Sequence, residues 1–341
     1  MKLPTRTIRV ALSALAGAAI GLLLGSSAAA QESELRVSTG EHNVHIMPIP
    51  SKAREMASVA ALSGPMTYHG GPVMLKANTY AIYWAPKTLQ TGAATSLPAH
   101  YQSVVNSFLS LYPGHGIANN NTQYSARTGL LLFWNYIQNA GSFAGSYVDT
   151  SPYPASGCSD SVTPGNCLTD AQIQAEIKKV MALKGWTGGL NNMFLLFTSS
   201  GEGSCAGASC AYENYCAYHS YFTNGGTPVI YGNEPYSNPS YCQVAGTPSP
   251  NGDAAGDAAA NVASHELTEA ITDPELNAWY AGSTAGEIGD LCAWNYGTNG
   301  WDAGKANQSW FNSWFILGSI GYFELQKEYD NHAGGCVQLG P

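Results

Sequence analysis

The stretch DAAGDAAANVASHELTEAI, residues 253–271, predicts the helix on which the fold and its chemistry depend. Most of its residues are small and apolar, which is typical of a helix buried inside a domain. His265 and Glu269 are four residues apart, so one face of the helix presents both side chains, with Glu266 beside them. Unpaired buried charges are very unfavourable, and the chain has only 14 lysines and arginines. A metal ion is therefore the simplest partner for this set.

The spacing follows the HExxH helix of zinc proteases, with a carboxylate in place of the second histidine. It predicts His265 and Glu269 as metal ligands and Glu266 as the general base that takes a proton from metal-activated water. The competing interpretation is a chance HExxE in a solvated helix. An anionic oxygen ligand moves the metal preference towards harder ions. We therefore expect zinc, with calcium as the alternative.

A third metal ligand is expected downstream of this helix, because catalytic zinc sites usually have three protein ligands and one open position. The segment GEIGDLC, residues 286–292, offers Glu287 and Asp290. We favour Asp290, since a disulfide at Cys292 would hold its backbone in place. His219 lies on a predicted strand and is a further candidate, as a ligand, as a hydrogen-bond donor to the transition state or as a structural histidine.

The first thirty residues have the features of a secretory signal peptide. Lys2, Arg6 and Arg9 precede an apolar run at 10–24, and three alanines at 28–30 offer a cleavage site. The apolar run is about fifteen residues long, shorter than the ~20 that a membrane-spanning helix needs. An uncleaved membrane anchor is the less favoured alternative. We therefore expect a protein secreted to the extracellular space, with no membrane contact after cleavage.

The charge of the chain excludes one class of partner. The formal net charge is -9, and the signal peptide carries three positive charges and no negative ones, so cleavage moves it to -12. A chain with this balance lacks the basic surface that nucleic acid requires. The expected partner is a protein or peptide substrate, and no nucleic acid.

Cysteine usage predicts four disulfides. An even number of cysteines in an exported chain is typical of disulfide bonding, and a zinc–thiolate site is the competing interpretation, although no paired CxxC is present. The cysteines are Cys158, Cys167, Cys205, Cys210, Cys216, Cys242, Cys292 and Cys336. We expect pairing of the first two and of the last two. The pairing among the central four stays open.

The chain is predicted to divide into three parts. Residues 1–30 are the signal, residues 31–65 form a flexible lead or short pro-segment, and residues 66–341 form one globular domain. Within that domain, strands alternate with helices, for example a strand at Met193–Thr198. The expected fold is mixed α/β (α+β). Its architecture resembles the zincins, with a twisted sheet, a late active-site helix and disulfides that staple it.

Six short tracts occur together, in order, between residues 66 and 336. They are YHGGPV (68–73), CAYH (216–219), SHELTEA (264–270), DP (273–274), NAWY (277–280) and EIGDLC (287–292). Their order resembles the phosphate-induced-protein (EXORDIUM-like) family of exported proteins. For plant members, the resemblance implies a place in the apoplast and in growth control, with no enzymatic role that transfers. It also implies a shared site at His265, Glu266, Glu269, Glu287 and Asp290.

These patterns together predict a secreted metal-dependent endopeptidase, with zinc as the metal, that hydrolyses peptide bonds with a metal-activated water. The alternative is a non-catalytic extracellular protein, associated with the cell wall, in which the same residues hold a structural metal such as calcium. A glycan-active enzyme is the third hypothesis, because any two acids can meet in a folded chain.

Overall fold

The computed structural model describes residues 35–54, 64–128, 133–282, 286–296, 310–312 and 322–340. The long helices are α1 (Ala99–Leu111), α2 (Asp170–Lys184) and α3 (Ala254–Thr272), and short 3-10 segments cover Ala118–Gln123 and Asp290–Cys292. The strands, in chain order, are β1 (Arg36–Ser38), β2 (Asn43–Pro48), β3 (Met66–Tyr68), β4 (Ala77–Trp84), β5 (Ser125–Thr128), β6 (Phe133–Tyr136), β7 (Gly141–Asp149), β8 (Cys167–Thr169), β9 (Asn192–Thr198), β10 (Gly203–Ala206), β11 (Ser209–Cys210), β12 (Tyr215–Asn224), β13 (Thr227–Glu234), β14 (Trp279–Ala281), β15 (Trp310–Asn312), β16 (Tyr322–Glu324), β17 (Glu328–Asp330) and β18 (Gly335–Val337).

Seven strands form a mixed sheet in the order β1-β2-β12-β13-β9-β4-β7. Strands β13, β9, β4 and β7 are parallel neighbours, whereas β1, β2, β12 and β13 pair antiparallel. The interior strands β4 and β9 are largely buried, and β9 is a nearly continuous apolar run, as expected for a parallel strand covered on both faces. The mixed α/β class expected from the sequence is confirmed.

Helices cover both faces of this sheet. Helices α1 and α3 pack with Leu195 and Phe197 of β9 in one apolar core. Helix α2 packs with Phe194 and Leu196, the alternate residues of the same strand, in a second core. Successive side chains of a strand point to opposite faces. The sheet is therefore the middle layer, and α3 lies under one face of it.

The helix boundaries follow from local chemistry. Thr169 accepts a hydrogen bond from the Gln172 backbone, and the Gln172 side chain binds the Thr169 backbone in return, which is a capping box at the start of α2. Asp253 caps the start of α3, because its side chain accepts a hydrogen bond from the backbone of Gly256. A Cβ on Gly256 would lie 3.1 Å from Cβ of Val104 on α1. The glycine therefore permits the close approach of the two helices.

The structure differs from the expectation of a flexible lead at residues 31–65. Residues 36–48 form β1 and β2, which belong to the central sheet. Val44, Ile46 and Met47 belong to the same hydrophobic core as the buried residues of α2. Five consecutive residues of β2 are buried, so the strand lacks the alternation by which a half-buried strand is detected. That is why the sequence pattern did not reveal it.

Four disulfides staple the fold. Cys158–Cys167 and Cys292–Cys336 are paired as the sequence predicted, and the central cysteines pair as Cys205–Cys210 and Cys216–Cys242. Such bonds persist in oxidising, extracellular-type environments. Among the helices that the structure describes, we find none with the length and apolarity needed to cross a bilayer.

Candidate metal centre

The motif residues of α3 lie in the interior of the protein. His265, Glu266 and Glu269 are fully buried. Nε2 of His265 lies 3.1 Å from Oε1 of Glu269, as expected for side chains one helical turn apart. Nε2 of Gln326 lies 3.0 Å from the other ring nitrogen of His265 and donates a hydrogen bond to the Gly289 carbonyl. These contacts orient the imidazole so that Nε2 faces the acidic side chains.

Two neighbouring strands bring further histidines over α3. His45 of β2 and His219 of β12 are paired in register across the sheet, and their ring centroids are 5.6 Å apart. Nδ1 of His219 lies 3.0 Å from Oε2 of Glu266 and 3.6 Å from Oε2 of Glu269. Both rings are fully buried. The sheet therefore adds two imidazoles to the motif residues of α3.

The segment after α3 adds two carboxylates. Oδ2 of Asp290 lies 2.6 Å from Nε2 of His45, and the Asp290 backbone donates a hydrogen bond to Oε1 of Glu269. Glu287 lies between the two strand histidines, with Oε1 3.2 Å from Nδ1 of His45 and Oε2 3.7 Å from Nε2 of His219. The disulfide at Cys292 holds this turn. Both candidates for the third ligand therefore reach the site.

Seven side chains form what we call the acid–histidine cluster. They are His45, His219, His265, Glu266, Glu269, Glu287 and Asp290. Except for the 2.6 Å pair, their nitrogen–oxygen distances run from 3.0 to 3.7 Å. Two tetrahedral ligands at usual zinc distances of about 2.0–2.2 Å lie about 3.3–3.6 Å apart. The spacing therefore suits groups that share a metal ion.

Several atoms of the cluster are buried without a hydrogen-bond partner among the described residues. They are Nδ1 of His45, Nε2 of His219, Nε2 of His265, Oε1 of Glu266, Oε2 of Glu269, both carboxylate oxygens of Glu287 and Oδ1 of Asp290. Leaving such atoms unpaired is costly in a protein interior. A bound cation would satisfy them, because these nitrogens and oxygens are metal-ligand atoms.

Burial governs the protonation of the cluster. It lowers the pKa of all three histidines below the ordinary value, which favours the neutral imidazole, the form that binds metals. Burial and then repulsion between neighbouring carboxylates raise the pKa of Glu266 and Glu269 well above the ordinary value. Burial acts likewise on Asp290, but His45, His265 and the Glu287 backbone together outweigh it and lower the Asp290 pKa. A cation would favour ionisation of all these carboxyls.

Arg36 of β1 is the positive side chain beside this cluster. Its guanidinium lies 3.4 Å from Asp273 and 3.9 Å from Glu287, and its side chain is 17% exposed. Burial raises the pKa of Asp273 to about 7, against the opposing effects of the Ala278 backbone hydrogen bond and of Arg36. Asp273 also accepts from the Ala278 backbone at the end of α3. Asp273 therefore lies beside the acid–histidine cluster and stabilises the chain where it leaves α3.

The structure brings together the metal-ligand and catalytic candidates that the sequence selected. The predicted residues His219, His265 and Glu269 lie together with the predicted carboxylates. The sequence did not predict His45 and Arg36. Both missed residues lie in the segment expected to be a flexible lead. The available signal was a histidine inside the apolar run of β2, NVHIMP, which indicates a buried polar group in need of a partner.

Substitution of Gly289 by alanine tests the position of the metal. The added Cβ would lie 2.6 Å from Nδ1 of His265 and 2.9 Å from Oε1 of Glu269, so one of these side chains must move. We expect Gly289→Ala to lower zinc affinity by about 10–100-fold, the usual cost of disturbing groups that orient ligands. Isothermal titration calorimetry measures this change.

Gly335→Ala is the matched control, because an added Cβ there meets no atom within 4 Å. It should bind zinc like the unmodified protein. Equal affinities for the two alanine variants would contradict a metal at His265 and Glu269.

Comparison with known proteins places the chain in a family. Residues 66–310 match the model of the phosphate-induced protein 1 conserved region. Two Arabidopsis thaliana proteins are similar over a short stretch: Protein EXORDIUM-like 5 is 46% identical over 54 residues, and Protein EXORDIUM-like 3 is 49% identical over 55 residues. Each match covers 15% of this chain and 15% or 16% of the plant protein. No solved structure matches.

The matched region contains the motif helix and the turn that follows it, whereas Arg36 and His45 precede it. The match confirms the resemblance seen in the six sequence tracts. Because the family model covers well over half of its residues, the chain belongs to the phosphate-induced protein 1, or EXORDIUM-like, family.

Proposed function

We propose that this chain is an exported metal-dependent hydrolase, and that it uses zinc to cleave peptide bonds. The proposal rests on one observation: His265 and Glu269 lie against Asp290 and His45. Several ligand atoms of these residues are buried and have no hydrogen-bond partner among the described residues. A late helix beneath a twisted sheet supports a zincin-like arrangement. The disulfides and the signal-like leader support export.

The donor set favours zinc over calcium. Three imidazole nitrogens face the cluster, and imidazole suits zinc and other transition metals. Calcium takes six to eight oxygen ligands instead. In the proposed centre, His265, Glu269 and Asp290 would hold the ion and leave one position open for water. His45 would orient Asp290 through their 2.6 Å contact, and Gln326 keeps the His265 ring in its orientation.

Glu266 is the residue placed to move a proton. Its Oε2 lies 3.0 Å from Nδ1 of His219, and its Oε1 has no hydrogen-bond partner among the described residues. Bound zinc supplies Lewis acidity that polarises a peptide carbonyl and activates water. Glu266 would accept a proton from the attacking water and pass it to the leaving amine. His219 holds the Glu266 carboxylate in place during this transfer.

A structural metal in a non-catalytic, cell-wall-associated protein is the second candidate. The observation that favours it is burial, because six of the seven cluster residues are fully buried. A peptidase therefore needs a route by which a substrate reaches these residues. The partly exposed Arg36 lies at one side of the cluster, with its guanidinium 4.3 Å from the centroid of the Tyr280 ring. The two candidates differ in whether this side admits a peptide.

Metal analysis combined with a hydrolysis assay separates the candidates. Mature protein should contain zinc, and it should cleave an unfolded protein or members of a broad peptide library. Chelation should abolish cleavage, and added zinc should restore it. Bound metal without any cleavage would support the structural candidate and overturn the enzyme. Absence of tightly bound metal would overturn both.

A further inference from the structure

The acid–histidine cluster divides into two ligand groups that share one residue. His45, Glu269 and Asp290 offer ligand atoms within 4.8 Å of one another, and so do His219, Glu266 and Glu269. His265 joins the first group through Nε2, which lies 3.1 Å from Oε1 of Glu269 and 3.7 Å from Oδ1 of Asp290. Glu269 therefore belongs to both groups.

The two oxygens of Glu269 face different groups. Oε1 accepts a hydrogen bond from the Asp290 backbone and lies next to His265. Oε2 lies 3.6 Å from Nδ1 of His219 and has no hydrogen-bond partner among the described residues. A carboxylate that presents one oxygen to each of two ligand groups is suited to bridge two cations, which in two-metal sites lie about 3.5–4 Å apart.

The formal charge of the site agrees with more than one cation. Five carboxyls in or beside the cluster, those of Glu266, Glu269, Asp273, Glu287 and Asp290, have side chains that are at most 5% exposed, and Arg36 contacts two of them. With all five ionised and Arg36 charged, the formal charge is minus four, which two divalent cations would neutralise.

We propose that the cluster holds two divalent cations bridged by Glu269. His265 and Asp290 would complete the first position, with His45 held against Asp290, and His219 and Glu266 would complete the second. The inference rests on the proposed metal centre and changes one assignment within it, because Glu266 becomes a ligand of the second cation rather than the proton acceptor. Glu287 lies against a histidine from each group and helps to hold the two groups together.

The number of tightly bound ions tests this inference. Mature protein loaded with Zn²⁺ and freed of excess metal should contain two equivalents per chain by elemental analysis. One equivalent would overturn the two-cation centre and leave the proposed hydrolase standing. No bound equivalent would overturn both, so the two failures are distinguishable.

Variants assign the ions to positions. His219→Ala and Glu266→Gln should each lower the zinc content from two equivalents to one, whereas the Glu269→Gln variant should hold fewer tightly bound ions than either. His42→Ala is the control, since His42 pairs with Asp170 outside the cluster, and it should keep two. A Glu266→Gln variant that folds and keeps two equivalents would overturn the assignment of Glu266 as a ligand.

A spectroscopic measurement on the unsubstituted protein covers the case in which a variant fails to fold. Co²⁺ added to the metal-free chain should bind to two equivalents. Ions bridged by one carboxylate are magnetically coupled, so the second equivalent should weaken the electron paramagnetic resonance signal of the first. Two additive, uncoupled signals would overturn the bridge.

Discussion

Replacement of Glu266 by glutamine is expected to lower peptide hydrolysis by about 10²–10⁴-fold, the usual worth of general acid–base catalysis. Glutamine keeps the size of the side chain and can still form a hydrogen bond with His219. In the unmodified protein, Nδ1 of His219 lies 3.0 Å from Oε2 of Glu266. Glutamine cannot take up a proton at neutral pH, and it is a weaker metal ligand than a carboxylate. The loss is therefore expected whether Glu266 accepts a proton or binds a second cation. Turnover of an unfolded protein substrate measures it, with a melting curve to verify the fold.

Glu275→Gln is the matched control. This glutamate follows α3 and is partly exposed, outside the acid–histidine cluster, so its variant should cleave at the unmodified rate. Wild-type turnover in Glu266→Gln would exclude a catalytic role for the motif. The zinc content of the same sample then separates the two assignments of Glu266.

Removal of the metal is expected to lower stability substantially. An ion that binds the folded state alone adds about 2.7 kcal/mol when its free concentration is one hundred times Kd. For a domain of this size, that corresponds to a shift in Tm of about 5–10 °C, at roughly 2–4 °C per kcal/mol. The physical reason is the repulsion between buried carboxylates, which a cation relieves. Differential scanning calorimetry with and without a chelator measures the shift.

His265→Ala should have the lower Tm already and should respond less to the chelator, because one of the ligands is gone. His42→Ala should respond to the chelator as the unmodified protein does, since its side chain pairs with Asp170 elsewhere. A full chelator response in His265→Ala would show that the stabilising ion is bound at another site.

Much of the candidate site follows from local sequence, because it is built on a single helix. Four-residue spacing places His265 and Glu269 on one face of the helix, independently of the tertiary structure. The apolar residues around them predict burial, and the structure buries α3 from Ala255 to Thr272. The capping box at Thr169 and Gln172 is equally local. The two outer disulfide pairs were also accessible, since one closes a short loop and the other joins the last two cysteines.

What the sequence by itself determined is therefore the motif helix, its buried character, the mixed α/β class and a candidate metal site on that helix. Tertiary structure alone decided which residues surround the motif. His45 reaches Asp290 because β2 pairs with β12 in a register that sets His45 opposite His219. Pairing between strands about 170 residues apart leaves no local pattern, and β2 is buried on both faces, so no alternation reveals it. The placement of Arg36, and the division of the cluster at Glu269, likewise depend on long-range packing that spacing along the chain does not encode.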